Sequence, residues 1–476
     1  MTYHRRSALL AGLTALVCAI TLACANSPAS SSTASTSGAK SVAIKAASAG
    51  QPPSNSVLGN GSYFSYPNGS AASRAAIRNR VVRSINSTWG KYSVGGEVRR
   101  GKIYMSTWSF NDMGVRNALV NAAKRGTTVR IIAAQGINRT ENYKPWSSLK
   151  ATLNRLKRGG YATPDPNNIA RECRGSCRGG GGTPHSKFFL FDDVGNSHVR
   201  NIVMQTSMNL TPFAFKGQWN QATVFRGERQ YNLFRLIHNQ MSERRNLGSR
   251  AYVRRTISSI TNIFYPGGSS SRDAIMSMLS KVRCKGATSG GVAGRTRIRV
   301  IQYAIHETRG NRIAKRLRNL WNAGCNVRII YGVTSRPVLK ILRSRSGRGA
   351  VPMKQNVIKN RKGEIVKYNH SKWLAVSGVY GGSRGAWTVN AGSANWSDIA
   401  FRSDEQMQQF FGFERTASYF RNFDKTWNQG SSKPPRAGRM MADGATPVEP
   451  QEEALEDVPE QPTFGKGIYK YMLEGG

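Results

Sequence analysis

The chain contains 476 residues, of which 39% are hydrophobic and 20% charged, so it can build a sizeable core and is not a wholly disordered protein. Its 70 basic and 25 acidic residues give a net charge of +45, and this charge is uneven. Residues 443–476 hold eight carboxylates and two lysines, so the rest of the chain, with 68 basic and 17 acidic residues, has a net charge of +51. Such a surface attracts polyanions (nucleic acid, anionic lipid or a phosphate-rich wall polymer) and suits a neutral substrate poorly.

Residues 1–25 have the pattern of a secretory signal peptide. A basic start with Arg5 and Arg6 precedes an apolar run over residues 8–22 and an Ala-Cys-Ala cleavage site. We therefore predict a secreted, extracellular protein. Two variants remain open: Cys24 could carry a lipid that anchors the protein to a membrane, and the arginine pair could mark a twin-arginine signal.

Four cysteines follow the signal peptide: Cys173, Cys177, Cys284 and Cys325. An even number in an oxidising compartment predicts two disulfides, which three pairings would satisfy. Proximity in sequence favours a Cys173–Cys177 bond. The places of Cys284 and Cys325 at the ends of successive helical patterns of the second half favour the other bond. A zinc half-site is the alternative for C-x-x-x-C, but no second pair of ligands has the required spacing.

The chain is predicted to contain two copies of one α/β unit. A Tyr-Pro turn at residues 66–67 and again at 265–266 precedes an apolar pattern with helical spacing. Strand candidates follow at 102–108 and 297–303, then helical patterns at 115–124 and 313–321, and then the same tetrapeptide, Val-Arg-Ile-Ile, at 129–132 and 327–330. This order predicts an α/β sheet covered by helices in each half.

The predicted organisation has five parts. They are a signal peptide (1–25), a Ser/Ala-rich linker (26–60), a first half (61–248), a second half (249–430) and an acidic disordered tail (431–476). The tail is either a solubilising extension or a pseudo-substrate for a basic cleft.

A short motif with chemical potential occurs once in each half. It consists of H-S-K followed by S-x-N, at His185, Lys187, Ser207 and Asn209 and again at His370, Lys372, Ser393 and Asn395. Residues two apart on a strand point to the same face, so each imidazole should lie beside an ammonium group. One H-x-K occurs by chance, but two copies at equivalent places predict a shared site.

With these motifs the chain resembles the phospholipase D superfamily, whose signature is H-x-K-x4-D followed by G-S-x-N, twice per site. The resemblance covers residues 61–430. It implies an α/β fold of two pseudo-symmetric α/β/α sandwich halves with one active site at their interface. It also implies catalysis without a metal or other cofactor: one His forms a phosphohistidine, and the other protonates the leaving oxygen. The Lys and Asn pairs would stabilise negative charge on the phosphoryl oxygens.

The family also places a carboxylate after each S-x-N, which holds the His of the opposite half. Glu405 matches that place in the second half, whereas the first half has Asn220. A carboxylate that accepts a proton from Nδ1 of His185 would strengthen this His as a nucleophile. We therefore predict that His185 is the nucleophile and His370 the general acid.

The sequence departs from the family pattern at two places. Ser377 stands where the second motif should repeat Asp192, and Thr206 replaces the first-half Gly. The signature Asp is expected to brace its strand rather than to react. The loop at 173–182 is either a flexible surface excursion or an arginine-bearing loop that grips phosphate. Trp108 and Tyr303 are assigned to core packing, with the cleft wall as the alternative.

Three functions remain open. The first is a secreted phospholipase D that hydrolyses or transfers a lipid head group, and the second is a nuclease with the same mechanism. The third is a polyanion-binding protein with a decayed site, which Ser377 suggests. The expected partner is an anionic phosphodiester, in a phospholipid or a nucleic acid, with possible contact to a membrane surface. We expect the chain to act as a monomer.

Overall fold

The computed structural model describes residues 50–135, 144–159 and 163–435. The predicted signal peptide, most of the linker and nearly all of the tail lie outside these residues. The strands are β1 (Gly61–Ser65), β2 (Lys91–Val94), β3 (Glu97–Arg100), β4 (Lys102–Ser106), β5 (Thr128–Ala134), β6 (Ile169–Cys173), β7 (Phe188–Asp192), β8 (Ile202–Thr206), β9 (Gln218–Arg226), β10 (Val253–Ile257), β11 (Ile260–Tyr265), β12 (Arg297–Ile305), β13 (Asn326–Thr334), β14 (Met353–Lys359), β15 (Ile365–Asn369), β16 (Lys372–Tyr380), β17 (Ser383–Gly392), β18 (Glu405–Phe411) and β19 (Ser432–Lys433). The helices are α1 (Ala71–Arg74), α2 (Ala76–Ser87), α3 (Met113–Lys124), α4 (Lys144–Lys157), α5 (Pro212–Lys216), α6 (Glu228–Glu243), α7 (Ala274–Ser280), α8 (Glu307–Asn322), α9 (Arg336–Arg343) and α10 (Phe413–Trp427).

Each half contains one mixed sheet, and the two sheets have the same strand pattern. In the first half the order is β1-β9-β8-β7-β4-β5-β6, in which β4, β5 and β6 are parallel and the other pairs antiparallel. In the second half β11-β18-β17-β16-β12-β13-β14 repeats this order with the same directions, and β10 extends it at one edge. The predicted α/β class and the duplication are confirmed.

The two sheets and their helices form five layers. Helices α2, α3 and α4 pack on the outer face of the first sheet, and α7, α8 and α9 pack on the outer face of the second. Between the sheets lie α6 and α10, whose apolar side chains share one core with the inner faces of both sheets. The halves are therefore joined by a continuous hydrophobic layer, which fixes how their central strands face each other.

Local sequence explains the central elements. Every residue of β7 and of β16 is buried, as expected for strands covered by helices on both faces. Helix α3 begins where the Asp112 side chain accepts a hydrogen bond from the Val115 N–H. It ends before Gly126, whose φ of +93° is left-handed and favours glycine.

The packed part of the chain is longer at both ends than the sequence predicted. Residues from Gly50 onward, assigned to the linker, already pack on the first half: the Gly50 carbonyl accepts from Gly90 N–H at 2.7 Å, and Leu58 is buried. At the other end, β19 lies within the predicted tail and pairs with β14. Both segments carry few apolar residues, so hydrophobic patterning could not reveal backbone pairing.

The four cysteines form two bonds in the structure, Cys173–Cys177 and Cys284–Cys325. The first closes a loop of four residues after β6. The second joins the segment after α7 to the turn between α8 and β13, across a sequence separation of 41 residues.

We expect the two bonds to contribute unequally to stability. Cross-linking the unfolded chain stabilises by an amount that grows with loop length, about 4 kcal/mol for the longer loop and about 2 kcal/mol for the shorter one. Urea unfolding of the Cys284→Ser/Cys325→Ser and Cys173→Ser/Cys177→Ser variants should show this order. Peptide mapping that finds four free thiols in the mature protein would contradict both bonds.

Candidate functional site

The two H-x-K motifs meet at the boundary between the halves. The first directly precedes β7 and the second runs into β16, whose first residue is Lys372. The chain at or just before each motif pairs with backbone from the other half. The His370 N–H donates to the Trp219 carbonyl at 2.9 Å, and the Asp404 N–H donates to the Thr183 carbonyl at 2.9 Å. Because both contacts cross the boundary, the site exists only when the halves are packed together.

The His185 imidazole is held by a carboxylate from the second half. Its Nδ1 lies 2.8 Å from Oε1 of Glu405, and the Ser393 hydroxyl donates to the other carboxylate oxygen. All three side chains are buried. With Nδ1 donating to a carboxylate, the neutral imidazole keeps its lone pair on Nε2, the atom then able to attack phosphorus.

The His370 imidazole has the symmetry-related arrangement with an amide in place of the carboxylate. Its Nδ1 lies 3.2 Å from Oδ1 of Asn220, and the Ser207 hydroxyl donates to the same oxygen at 2.7 Å. The Asn220 Nδ2 donates to the Ala214 carbonyl at 2.9 Å, which orients the amide with its oxygen towards His370. This His therefore has a neutral acceptor and lacks the charge support that Glu405 gives His185.

The two lysines are buried beside the histidines. The Lys187 Nζ donates to the His185 carbonyl at 2.5 Å, and the Lys372 Nζ donates to the His370 carbonyl at 2.7 Å. Trp108 and Tyr303 are buried as predicted, but each also contacts a motif: their ring centroids lie 5.9 Å from His185 and 4.8 Å from His370, respectively. The aromatic side chains thus form the apolar wall of each His–Lys pair.

The two signature asparagines differ from the other motif residues. Within the described chain, the side-chain oxygens of Asn209 and Asn395 are buried and have no hydrogen-bond partner. No described contact joins either amide to a histidine. Their proposed role as donors to a phosphoryl oxygen therefore stays a prediction.

Two glutamines complete the site, and the sequence analysis missed them. The Gln406 side chain accepts from the Lys187 N–H and donates to the Lys187 carbonyl, both at 2.9 Å. Gln221 accepts from the Lys372 N–H at 3.1 Å and donates to the Gly392 carbonyl at 2.9 Å. Each clamps the motif of the opposite half. A signal was available, because Gln follows both Asn220 and Glu405 at the same spacing of 185 residues that separates the two histidines.

The missing first-half glycine has a structural explanation. A Cβ at Gly392 would lie 2.0 Å from the Gln406 carbonyl oxygen, so this position requires glycine. At the equivalent position the Thr206 hydroxyl donates to the Gln221 carbonyl at 2.7 Å. The second half thus has a close backbone contact between Gly392 and Gln406, and the first half has a hydrogen bond from Thr206 to Gln221 in its place.

The signature Asp and its replacement both lie five residues beyond the motif lysine, away from the histidines. Asp192 accepts hydrogen bonds from the Arg200 guanidinium and from the Asn201 N–H across the β7–β8 turn. Ser377 donates to the Gly290 carbonyl at 2.7 Å and accepts from Arg297 at 3.1 Å. These contacts brace the strands, so the change to Ser removes nothing from the reacting groups.

Arg178, in the loop at 173–182, fits neither interpretation of this loop. It is not part of a flexible surface excursion, and it does not reach towards a phosphate. The Arg178 guanidinium is buried and donates to the carbonyls of Ala251 and Tyr265 and to the side chain of Gln240. It therefore joins the halves and is not presented to a substrate. The Cys177 N–H donates to Asp404 at 2.5 Å, next to Glu405. Burial raises the pKa of the Asp404 carboxyl to about 6, and the charge of Arg178 opposes this rise.

Burial in a basic environment sets the protonation of the site. Burial, assisted by Lys187, lowers the pKa of His185 from 6.5 to about 4, although Glu405 opposes it. Burial and then Lys372 hold the pKa of His370 well below 6.5. Burial and then Lys187 hold the pKa of Lys372 well below 10.5. For Glu405, burial raises the pKa, but His185, Lys187 and Ser393 outweigh it and the net shift is downward. Without an anion, both imidazoles are thus neutral near pH 7.

Within residues 50–435, apart from the two gaps, no three His, Cys, Asp or Glu side chains are grouped closely enough to hold a metal ion. Over the same part of the chain, no helix has the length and apolarity needed to cross a bilayer.

Comparison with known proteins gives a family model that matches part of the chain, and a shared fold. The family model described as "Cardiolipin synthase, PLD-like domain" matches residues 100–242. The phosphatidylserine synthase of Haemophilus influenzae Rd KW20 superposes with a TM-score of 0.52 at 11% identity, over 78% of this chain and 86% of that chain. At such low identity the likeness shows a shared fold. No curated protein matches the sequence.

Two other solved structures match less closely. Polyphosphate kinase from Porphyromonas gingivalis has a TM-score of 0.49 at 10% identity over 80% of this chain, and the match spans only 53% of the kinase. Nuc from Salmonella typhimurium, described as a phospholipase D family member, has a TM-score of 0.25 at 20% identity, over 39% of this chain and 95% of its own. The family model thus matches only part of the first half, where it agrees with the resemblance carried by the first H-x-K motif, and the phosphatidylserine synthase shows a shared α/β fold.

Proposed function

We propose that the protein is a phosphodiesterase of the phospholipase D type that acts through a phosphohistidine intermediate. The observation that carries the proposal is the pair of buried imidazoles at one boundary, each held at Nδ1 by a side chain from the opposite half. A strand with a surface His and Lys would need none of these contacts. The order of the partners, carboxylate for one His and amide for the other, supports distinct roles.

In the first step His185 Nε2 attacks phosphorus and the P–O bond to the leaving group breaks. His370, which takes up a proton at Nε2 when the anionic substrate binds, gives that proton to the departing oxygen, so an alcohol leaves and a phosphohistidine remains. Lys187, Lys372, Asn209 and Asn395 supply the cations and amides that we assign to the phosphoryl oxygens. In the second step neutral His370 takes a proton from water, or from an acceptor alcohol, whose oxygen displaces His185.

The first-ranked substrate class is a phospholipid head group, with hydrolysis or transfer as the outcome. The charge supports a nucleic acid as the second candidate, because a net charge of +51 outside residues 443–476 suits binding along a phosphate backbone. Basic charge suits anionic lipid surfaces as well. Export agrees with the signal-like residues 1–25 and with two disulfides, and we propose an extracellular location.

Anion binding at this site should be accompanied by proton uptake. The His185 pKa of about 4 and the low His370 pKa mean that both rings are neutral at pH 6 in the free protein. A bound oxyanion favours the charged rings and raises both pKa values, so binding should tighten as the pH falls from 7 towards 5. Calorimetric titration with tungstate, in two buffers of different ionisation enthalpy, measures the protons taken up. Zero uptake at pH 6 would contradict the proposed coupling.

A parallel assay tests the substrate class. We expect purified protein to cleave phosphatidylcholine or phosphatidylglycerol in vesicles with EDTA present, at a rate that follows the anionic lipid fraction, while DNA binds and inhibits. The His185→Ala protein serves as the blank across a salt series. DNA or RNA cleaved at rates comparable to lipid, and not cleaved by the blank, would favour the nuclease. Turnover that disappears on chelation and returns with a divalent ion would refute the mechanism.

A further inference from the structure

A second basic site lies at the opposite end of the first sheet from the histidines. It is a cavity of about 600 Å³, which we call the basic cavity, lined by residues of β4, β5, β6 and the ends of α4 and α6. Its position follows from β4. Ser106, at one end of this strand, donates to the carbonyl of Ser186, next to His185, and Lys102, at the other end, lines the cavity. Four residue steps separate them by about 13 Å.

Four cationic side chains line the basic cavity: Lys102, Arg130, Lys157 and Arg171. One carboxylate, that of Glu243, lines it as well, and this group is ion-paired with Arg245. A second carboxylate, that of Asp165, is buried beneath and accepts from the Thr128 hydroxyl at 2.5 Å and from the Asn167 N–H at 2.9 Å. The lining therefore has an excess of positive charge.

The two arginines are fixed by the surrounding backbone. Arg130 donates to the Asn167 carbonyl at 3.0 Å and to the Ser242 hydroxyl at 3.2 Å, and Arg171 donates to the Ser242 carbonyl. The Nε of Arg130 is buried and has no hydrogen-bond partner among the described residues. Two like charges held on one serine without a carboxylate partner repel each other, and a bound anion would relieve that repulsion.

The second half differs at the equivalent place. Strand register makes Arg328 the counterpart of Arg130, since β4 aligns Tyr104 with Arg130 and β12 aligns Arg299 with Arg328. There the Arg328 guanidinium lies over the ring of Trp427, the last residue of α10, at 5.4 Å. Its counterpart Arg130 lies farther from a ring, 5.9 Å from the Tyr104 centroid, and lines the cavity.

We propose that the basic cavity binds an anion with two or more phosphate groups, separately from the catalytic histidines. Guanidinium groups match the geometry of phosphate oxygens, and a cleft lined by one sign of charge concentrates such ligands. The four cations come from three strands and one helix, so more than one phosphate group is needed to pair with all of them. The proposal does not depend on which phosphodiester the catalytic site cleaves.

Calorimetric titration of the full protein with inorganic tripolyphosphate at low salt tests the proposal. We expect two bound ions for the wild type, one at each site, and one for Arg130→Gln/Arg171→Gln. The matched control Arg328→Gln, which changes the same residue of the repeat, should keep two. Hydrolysis of a small p-nitrophenyl phosphodiester should be unchanged in all three proteins. If the catalytic site binds no tripolyphosphate, we expect one bound ion for the wild type and for Arg328→Gln, and none for Arg130→Gln/Arg171→Gln. The difference of one ion between the wild type and the cavity variant remains.

A second double variant covers the case in which the arginine variant does not fold. Lys102→Gln/Lys157→Gln changes the two lysines of the lining and should weaken the cavity site tenfold or more. Equal stoichiometry and affinity in the wild type and in the folded cavity variants would overturn the proposal. So would an equal loss in Arg328→Gln, because that result would mean diffuse attraction to a basic surface.

Discussion

Replacement of His185 by Ala is expected to abolish the covalent phospho-enzyme and to slow phosphodiester hydrolysis about 10⁴-fold or more. The reason is geometric: among the described residues, His185 is the site imidazole whose Nδ1 contacts a carboxylate. Rapid-quench experiments with a labelled phosphodiester, followed by peptide mapping, measure the intermediate directly. The control is His198→Ala in the β7–β8 turn, which should keep the wild-type rate.

His370→Ala should behave differently from His185→Ala. It removes the proton donor, so natural substrates with poor leaving groups should turn over far more slowly. With p-nitrophenol as the leaving group little protonation is needed, and the intermediate should still form and then persist, because its hydrolysis lacks a base. Phosphate found on residue 370 of the wild-type protein would reverse the assignment of the two histidines.

The fold could be predicted from the sequence because the same pattern of strands and helices occurs in both halves of the chain. The repeated Val-Arg-Ile-Ile lies in β5 and in β13, which hold equivalent places in the two sheets. The repeated strand–helix–strand order corresponds to the identical strand order of these sheets. Duplication also made the motif informative, since His185 and His370 support each other at equivalent strands. The carboxylate and amide opposite them, Glu405 and Asn220, followed from the resemblance to the family pattern.

What the sequence could not predict depends on contacts between distant segments. The buried Arg178 donates to carbonyls about 70 to 90 residues away in the chain, and no local sequence pattern predicts such partners. The basic cavity likewise combines residues from positions 102 to 243. No sequence pattern distinguishes its four cationic side chains from the other basic residues of the chain, which has 70 in all. The depressed pKa values arise from burial of the whole cluster, which a strand pattern does not measure.

The asymmetry between the two histidines can be reversed by exchanging their partners. Glu405→Gln keeps the shape of the side chain but removes the charge beside His185, and we expect a loss of about 10² to 10⁴ in rate. Asn220→Asp places a carboxylate oxygen where Oδ1 now lies, 3.2 Å from Nδ1 of His370. In the Glu405→Gln/Asn220→Asp double variant the carboxylate therefore supports the other histidine.

We expect this double variant to recover tenfold or more of the activity lost in Glu405→Gln, with the phosphate now trapped on His370. Recovery should be incomplete, because the Asn220 Nδ2 donates to the Ala214 carbonyl and an Asp oxygen in its place would face another acceptor. Asn220→Asp alone is the control, and it should leave both histidines with carboxylate partners. If the double variant still forms its phosphohistidine at residue 185, the carboxylate does not select the nucleophile. The preference would then have to arise from which face of the site the leaving group occupies.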